Sequence, residues 1–155
     1  MNPPAPGVLV VGVGATLRGD DGVGPLAVAG LDDGSVAVAV CAGGASLLDL
    51  WRGARAVVIA DAVRTGAPPG TLHRFDATAR PLPLGVTAGG THALGVGDAI
   101  ELARVLDHLP GRVIVHGVEP ARVALGTGLT GPVAAAIPRL VQALRDEVAA
   151  LAAGR

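Results

Sequence analysis

The chain has 155 residues, half of them hydrophobic, and a formal net charge of -1 at pH 7 from 12 basic and 13 acidic side chains. That length suits one domain with a core of its own, and the balanced charge offers no basic stripe for nucleic acid. A single Cys excludes an internal disulfide and a thiolate zinc site, while one Trp, one Phe and no Tyr leave no platforms on which bases could stack.

The first element is the apolar run VLVVGV, read as a buried strand over 8–13. It is not read as a secretory signal, because no basic segment and no small-residue cleavage site accompany it. A cytoplasmic protein is the expectation, and no apolar run reaches the about 20 residues that cross a bilayer. A Gly-rich loop, GVGATLRGDDGVG, leads into a helix predicted over 21–31. Further strands are predicted at 36–41, 55–61, 71–76 and 112–118, and further helices at 45–52, 92–108 and 131–152. Strands alternating with helices specify an α/β fold, a three-layer sandwich with a mostly parallel five-stranded sheet between helices. The strand TLHRF closely follows the turn GAPPG, so it is expected to be antiparallel or at an edge.

Helix 92–108 is expected to turn Leu94, Ile100, Leu102, Ala103, Leu106 and Leu109 inward, with Thr91 as its N-cap and His92 in its first turn. The stretch from Ala77 to Gly90 is the longest irregular piece and could serve as a lid or a docking surface. No composition shift marks a boundary, so residues 1–155 read as a single domain. Cys41 reads as a small buried hydrophobe.

The glycine loop invites comparison with a dinucleotide fingerprint, but Leu17 stands where the third Gly is needed. Asp20 and Asp21 would also repel a pyrophosphate at the helix N-terminus. The chain has no Lys, hence no Walker lysine, and no nucleotide cofactor is expected.

Three residues carry the functional reading: Asp21 in the glycine loop, Asp61 at the end of AVVIADAV, and His92 in GGTHALG. An α/β sheet gathers working groups at the carboxyl ends of its strands. Asp20 suits a capping role, Asp21 is open between structure and function, and a carboxylate closing the apolar strand at Asp61 requires a partner or water. A His beside Thr is by itself an ordinary polar residue. Together, two carboxylates and an imidazole suit a borderline divalent ion such as Ni, Zn or Fe(II), and can also activate water. His73 and His108 read as structural, and His116 and Glu119 as rim positions with structural roles. No nucleophile elbow, HExxH motif or Cys-His protease pattern is present.

The segments GVGATLRGDDGVG, IADAV, THALG and HGVEP followed by GTGLTGPVAAAIP, in that order, closely resemble the NiFe-hydrogenase maturation endopeptidases. That family trims the C-terminal tail of the hydrogenase large-subunit precursor. The resemblance runs nearly end to end and implies a twisted sheet between helices. It carries the family's metal-contacting and catalytic trio onto Asp21, Asp61 and His92. It also implies that nickel arrives with the precursor, with no permanently held catalytic zinc, and that the precursor is the partner, without a nucleic-acid or membrane partner. Two positions depart from the family pattern: Ala15 replaces a common Asn, and Ala42 replaces a common Asp. The leading expectation is an endopeptidase acting on a nickel-loaded precursor. The alternatives are a non-catalytic nickel-site checkpoint or binding module for that precursor, and, on fold analogy alone, a nucleotide-binding enzyme.

Overall fold

The computed structural model describes residues 7–83, 86, 94–126 and 128–154. Five strands form one sheet: β1 (Val8–Val13), β2 (Ala37–Cys41), β3 (Ala56–Ala62), β4 (Leu72–Asp76) and β5 (Arg112–Val118). Their order is β2-β1-β3-β5-β4, parallel throughout except for the antiparallel edge strand β4. This is the mixed α/β sheet expected from the sequence. The helices are α1 (Val23–Ala29), α2 (Leu47–Leu50), α3 (Val96–Val105) and α4 (Gly131–Ala153).

Strand alternation sorts the core into two halves. Val58, Ala60 and Ala62 of β3 pack with Val23 and Ala27 of α1 and Leu140 and Leu144 of α4. Val57 and Ile59 face the other way, against Leu47 of α2, Trp51 at its C-terminal end, and Ala99, Ile100 and Ala103 of α3. Asp61 belongs to this second register, whereas His116 on β5 shares the α4-facing register of Ile114 and Val118. The two side chains therefore leave the sheet on opposite faces.

Three helix boundaries differ from the sequence reading. The first helix begins at Val23 rather than 21, because a 3-10 turn over Gly19–Gly22 precedes it and Gly22 is its N-cap. The second is reduced to Leu47–Leu50 behind another 3-10 turn, Gly44–Ser46. The third starts at Val96 with Gly95 as N-cap, so the cap is not Thr91, which with His92 lies outside the described residues. Its buried face is Val96, Ala99, Ile100 and Ala103, while Leu102 and Leu106 face solvent, contrary to expectation. The helix stops at Val105. Asp107 then takes a left-handed φ of 58°, and the His108 N–H returns to the Ala103 carbonyl at 2.8 Å.

The one buried acid of α4 is a structural clamp. Glu147 accepts from Arg74 Nε at 2.6 Å and Nη2 at 3.2 Å, and its Oε1 lies 2.8 Å from His116 Nε2. Burial opposes its ionisation, but the bonds from Arg74 and His116 outweigh this and hold its pKa below the ordinary value. A lowered carboxyl pKa stabilises the fold above the unfolded-state value, and that stability is lost as pH falls through the folded-state value. Glu147→Ala should cost about 2–3 kcal/mol, discounted because Arg74 is half exposed, and should appear as a lower urea midpoint at neutral pH.

Candidate active site

The switch point between β1 and β3, where the connections leave in different directions, builds the site. At the end of β1, Gly14 has φ +139°, and a Cβ there would lie 1.9 Å from the Asp21 carbonyl oxygen. Only glycine permits this fold-back. Gly24 does the same for α1: a Cβ would sit 2.3 Å from the Ala60 carbonyl oxygen and 2.6 Å from that of Val13. The start of α1 therefore lies directly on the backbones of β1 and β3, bringing the 3-10 turn and its Asp21 to the carboxyl end of the sheet beside Asp61.

Both aspartates are buried and sparsely bonded. Asp21 Oδ2 accepts the Ala15 N–H at 2.8 Å, and Asp61 Oδ1 accepts the Ala62 N–H at 2.8 Å. Among the described residues these are the only hydrogen bonds either carboxylate makes. Asp61 stands opposite Gly117 on β5, where the Val63 side chain fills the space a Cβ would take. Burial, then the negative charge of Asp21, push the Asp61 pKa well above the ordinary carboxyl value. Burial also raises Asp21, against the Ala15 bond and the Arg18 charge. Such a pair gives up its last proton reluctantly and can hold one acid protonated beside one ionised. A divalent cation would relieve their repulsion; the two oxygen donors by themselves do not select a borderline ion over a hard one.

Asp20, one residue earlier, has the opposite character. Its carboxylate accepts the backbone N–H groups of Ala121, Arg122 and Thr130 at 2.8, 3.0 and 2.7 Å, and the Thr130 hydroxyl at 2.7 Å. Burial works against its ionisation, but these bonds prevail and lower its pKa. It fixes the loop before α4 instead of capping the helix that follows it. Glu119 is similarly satisfied by Thr65, Gly66 and His73, with Thr65 Oγ1 at 2.7 Å and His73 Nε2 at 3.0 Å. His73, His116 and Glu119 are thus structural, as read from the sequence.

His92 lies outside the described residues, and among those described no group of three His, Cys, Asp or Glu side chains could hold a metal ion. The structure brings Asp21 and Asp61 together; it does not describe the third expected member. Sequence reasoning missed two contributors. The Ala15 N–H, which a bound phosphate would need, is already committed to Asp21. Cys41, only part-buried, pairs with Val13 at the end of β1, and its thiol pKa is raised by burial and, to a smaller degree, by the charge of Asp61. Gly14 followed seven residues later by an acid was the available signal for the first.

The fold and its buried acid pair define an α/β protein with a polar site at a topological switch point. Among the described residues no helix is long and apolar enough to cross a membrane. A family model described as hydrogenase maturation protease matches residues 34–147. The hydrogenase expression/formation protein HupD of Thiocapsa roseopersicina is 34% identical over 76% of this chain and 56% of its own, so the chain spans little more than half of that relative. The hydrogenase maturating endopeptidase HybD from Escherichia coli matches with TM-score 0.69 and 25% identity, over 91% of this chain and 93% of that one. A hydrogenase 2 maturation peptidase from a Thaumarchaeota archaeon matches with TM-score 0.67 and 28% identity, over 92% of this chain and 97% of that one. The chain belongs to the hydrogenase maturation protease family.

Proposed function

We propose that this protein is a cytoplasmic endopeptidase that removes the C-terminal extension of a nickel-loaded NiFe-hydrogenase large-subunit precursor. The observation that carries this reading is the contrast among its buried acids. Asp20, Glu119 and Glu147 are satisfied by several donors each, whereas Asp21 and Asp61 each hold a single N–H and face one another's charge. Two buried carboxyls kept short of donors form a site awaiting a cation or a reacting group.

In this reading Asp21, Asp61 and His92 would hold nickel that is part of the substrate. Described residues close to His92 in sequence support its inclusion: the Leu94 carbonyl accepts the Gly44 N–H at 2.8 Å, which ties the chain to the turn after β2. Bound nickel would supply Lewis acidity and a fixed point from which the adjoining peptide is presented. With both carboxylates ionised beside the ion, one of them would take a proton from the attacking water and return it to the departing amine. Burial of both aspartates limits stray water around them.

A second reading, a non-catalytic checkpoint for the same precursor, is favoured by Ala15 and Ala42, which offer no side-chain hydrogen bond where the family commonly has Asn and Asp. Incubation with purified nickel-loaded precursor, followed by mass measurement, separates the two. A truncated precursor and a released C-terminal peptide are expected. A stable complex with intact precursor would establish the checkpoint instead.

A further inference from the structure

A recess of about 340 Å3 opens beside the acid pair, lined by Ala15, Leu17, Pro25, Val40, Cys41 and Ala42 among others. It shares a wall with the site, since the Ala15 N–H that lines it is bonded to Asp21. No formally charged side chain lines it. Leu17 and Val40, two of its lining residues, are 64% and 58% exposed and so are open to a bound chain. Both departures from the family pattern, Ala15 and Ala42, fall within this one recess, and neither contributes a polar side chain to it. The volume is at the low end for ligand sites and suits one or two side chains rather than a helix or a folded surface. β2 is also an edge strand, so an extended segment could lie along its free side with a side chain directed into the recess.

We infer that this recess is a specificity pocket for an aliphatic side chain of the precursor close to the scissile bond. The inference rests on the proposed endopeptidase reading and adds the chemistry of the residue selected. An apolar pocket that must desolvate a carboxylate disfavours Asp against Leu by about tenfold or more.

The test replaces each precursor residue flanking the cut by Leu, Ala or Asp and compares kcat/KM for the parent, Val40→Asp and Leu17→Asp. At one flanking position the parent should prefer Leu to Asp at least about tenfold, and Val40→Asp should bring the two near parity without lowering the melting temperature. No preference in the parent, or a preference unaltered by both variants, would overturn the pocket and leave the endopeptidase reading standing. A second arm needs no cleavage: amide correlation spectra are recorded with acetyl-Gly-Leu-Gly-amide and its Asp counterpart. The Leu peptide should shift the amides of Ala15, Val40 and Ala42, and the Asp peptide should leave them in place. If these shifts occur but the precursor is never cut, the endopeptidase reading falls and the pocket stands. Equal shifts with both peptides, or none, contradict it, as does self-association through this face with no effect on side-chain preference.

Discussion

Asp61→Asn should abolish processing while making the free protein more stable. The parent places a carboxyl in a buried position with one hydrogen bond and a second acid close by, and both burial and the Asp21 charge raise its pKa. A raised carboxyl pKa stabilises the fold at low pH, and that contribution disappears as pH rises from the unfolded toward the folded value. At neutral pH the parent therefore carries a penalty that the neutral, nearly isosteric Asn lacks. The gain should be about 1–2 kcal/mol, or a few degrees in Tm, and should shrink in acid. Asp21→Asn should act in the same direction with a smaller gain, since Ala15 and Arg18 partly compensate its burial. Each substitution should lower kcat/KM on nickel-loaded precursor by at least about a hundredfold. Processing at the parent rate by both variants would remove the pair from the reaction.

Asp20→Ala should do the reverse, although Asp20 is the immediate neighbour of Asp21. It strips four donors of their common acceptor and releases the Ala121–Thr130 loop from the 3-10 turn that carries the site. Removing a buried, fully bonded carboxylate leaves the partner N–H groups unsatisfied, with an expected loss of about 3–5 kcal/mol. Because its pKa is lowered, the contribution is present above the unfolded carboxyl value and fades as pH falls through the folded value. Denaturant titrations of the parent and variant should therefore converge in acid. A variant as stable as the parent at neutral pH would contradict the assigned role. Adjacent aspartates with opposite effects on stability would be strong support for the division between bonded and under-bonded acids.

The four parallel strands were legible in the sequence as short apolar runs rich in β-branched residues, and β4 was legible from the turn GAPPG that precedes it. Asp61 was legible for the same reason, as a charge at the end of a run with no polar face. Helix limits were less so. The 3-10 turns before α1 and α2 carry no distinctive pattern, and the large leucines Leu102 and Leu106 pointed to the wrong face of α3. Small Ala99 and Ala103 lie against the sheet there instead, where they permit close approach. The role of Asp20 was hidden because its partners stand 101 to 110 positions away. Glu147 was missed likewise, lying 31 positions from His116 and 73 from Arg74. Local pattern reports elements and strand ends; the pairing of buried charges across the chain is a property of the assembled fold.

The most direct test of the account compares cleavage of nickel-loaded and nickel-free precursor under matched conditions, with stray metal removed by a chelator that spares the loaded site. If Asp21, Asp61 and His92 engage nickel brought by the precursor, orientation of the scissile bond depends on that ion. Loaded precursor should be trimmed, and nickel-free precursor should be cut at least about a hundredfold more slowly. Equal trimming of the two would contradict a nickel-engaging acid pair.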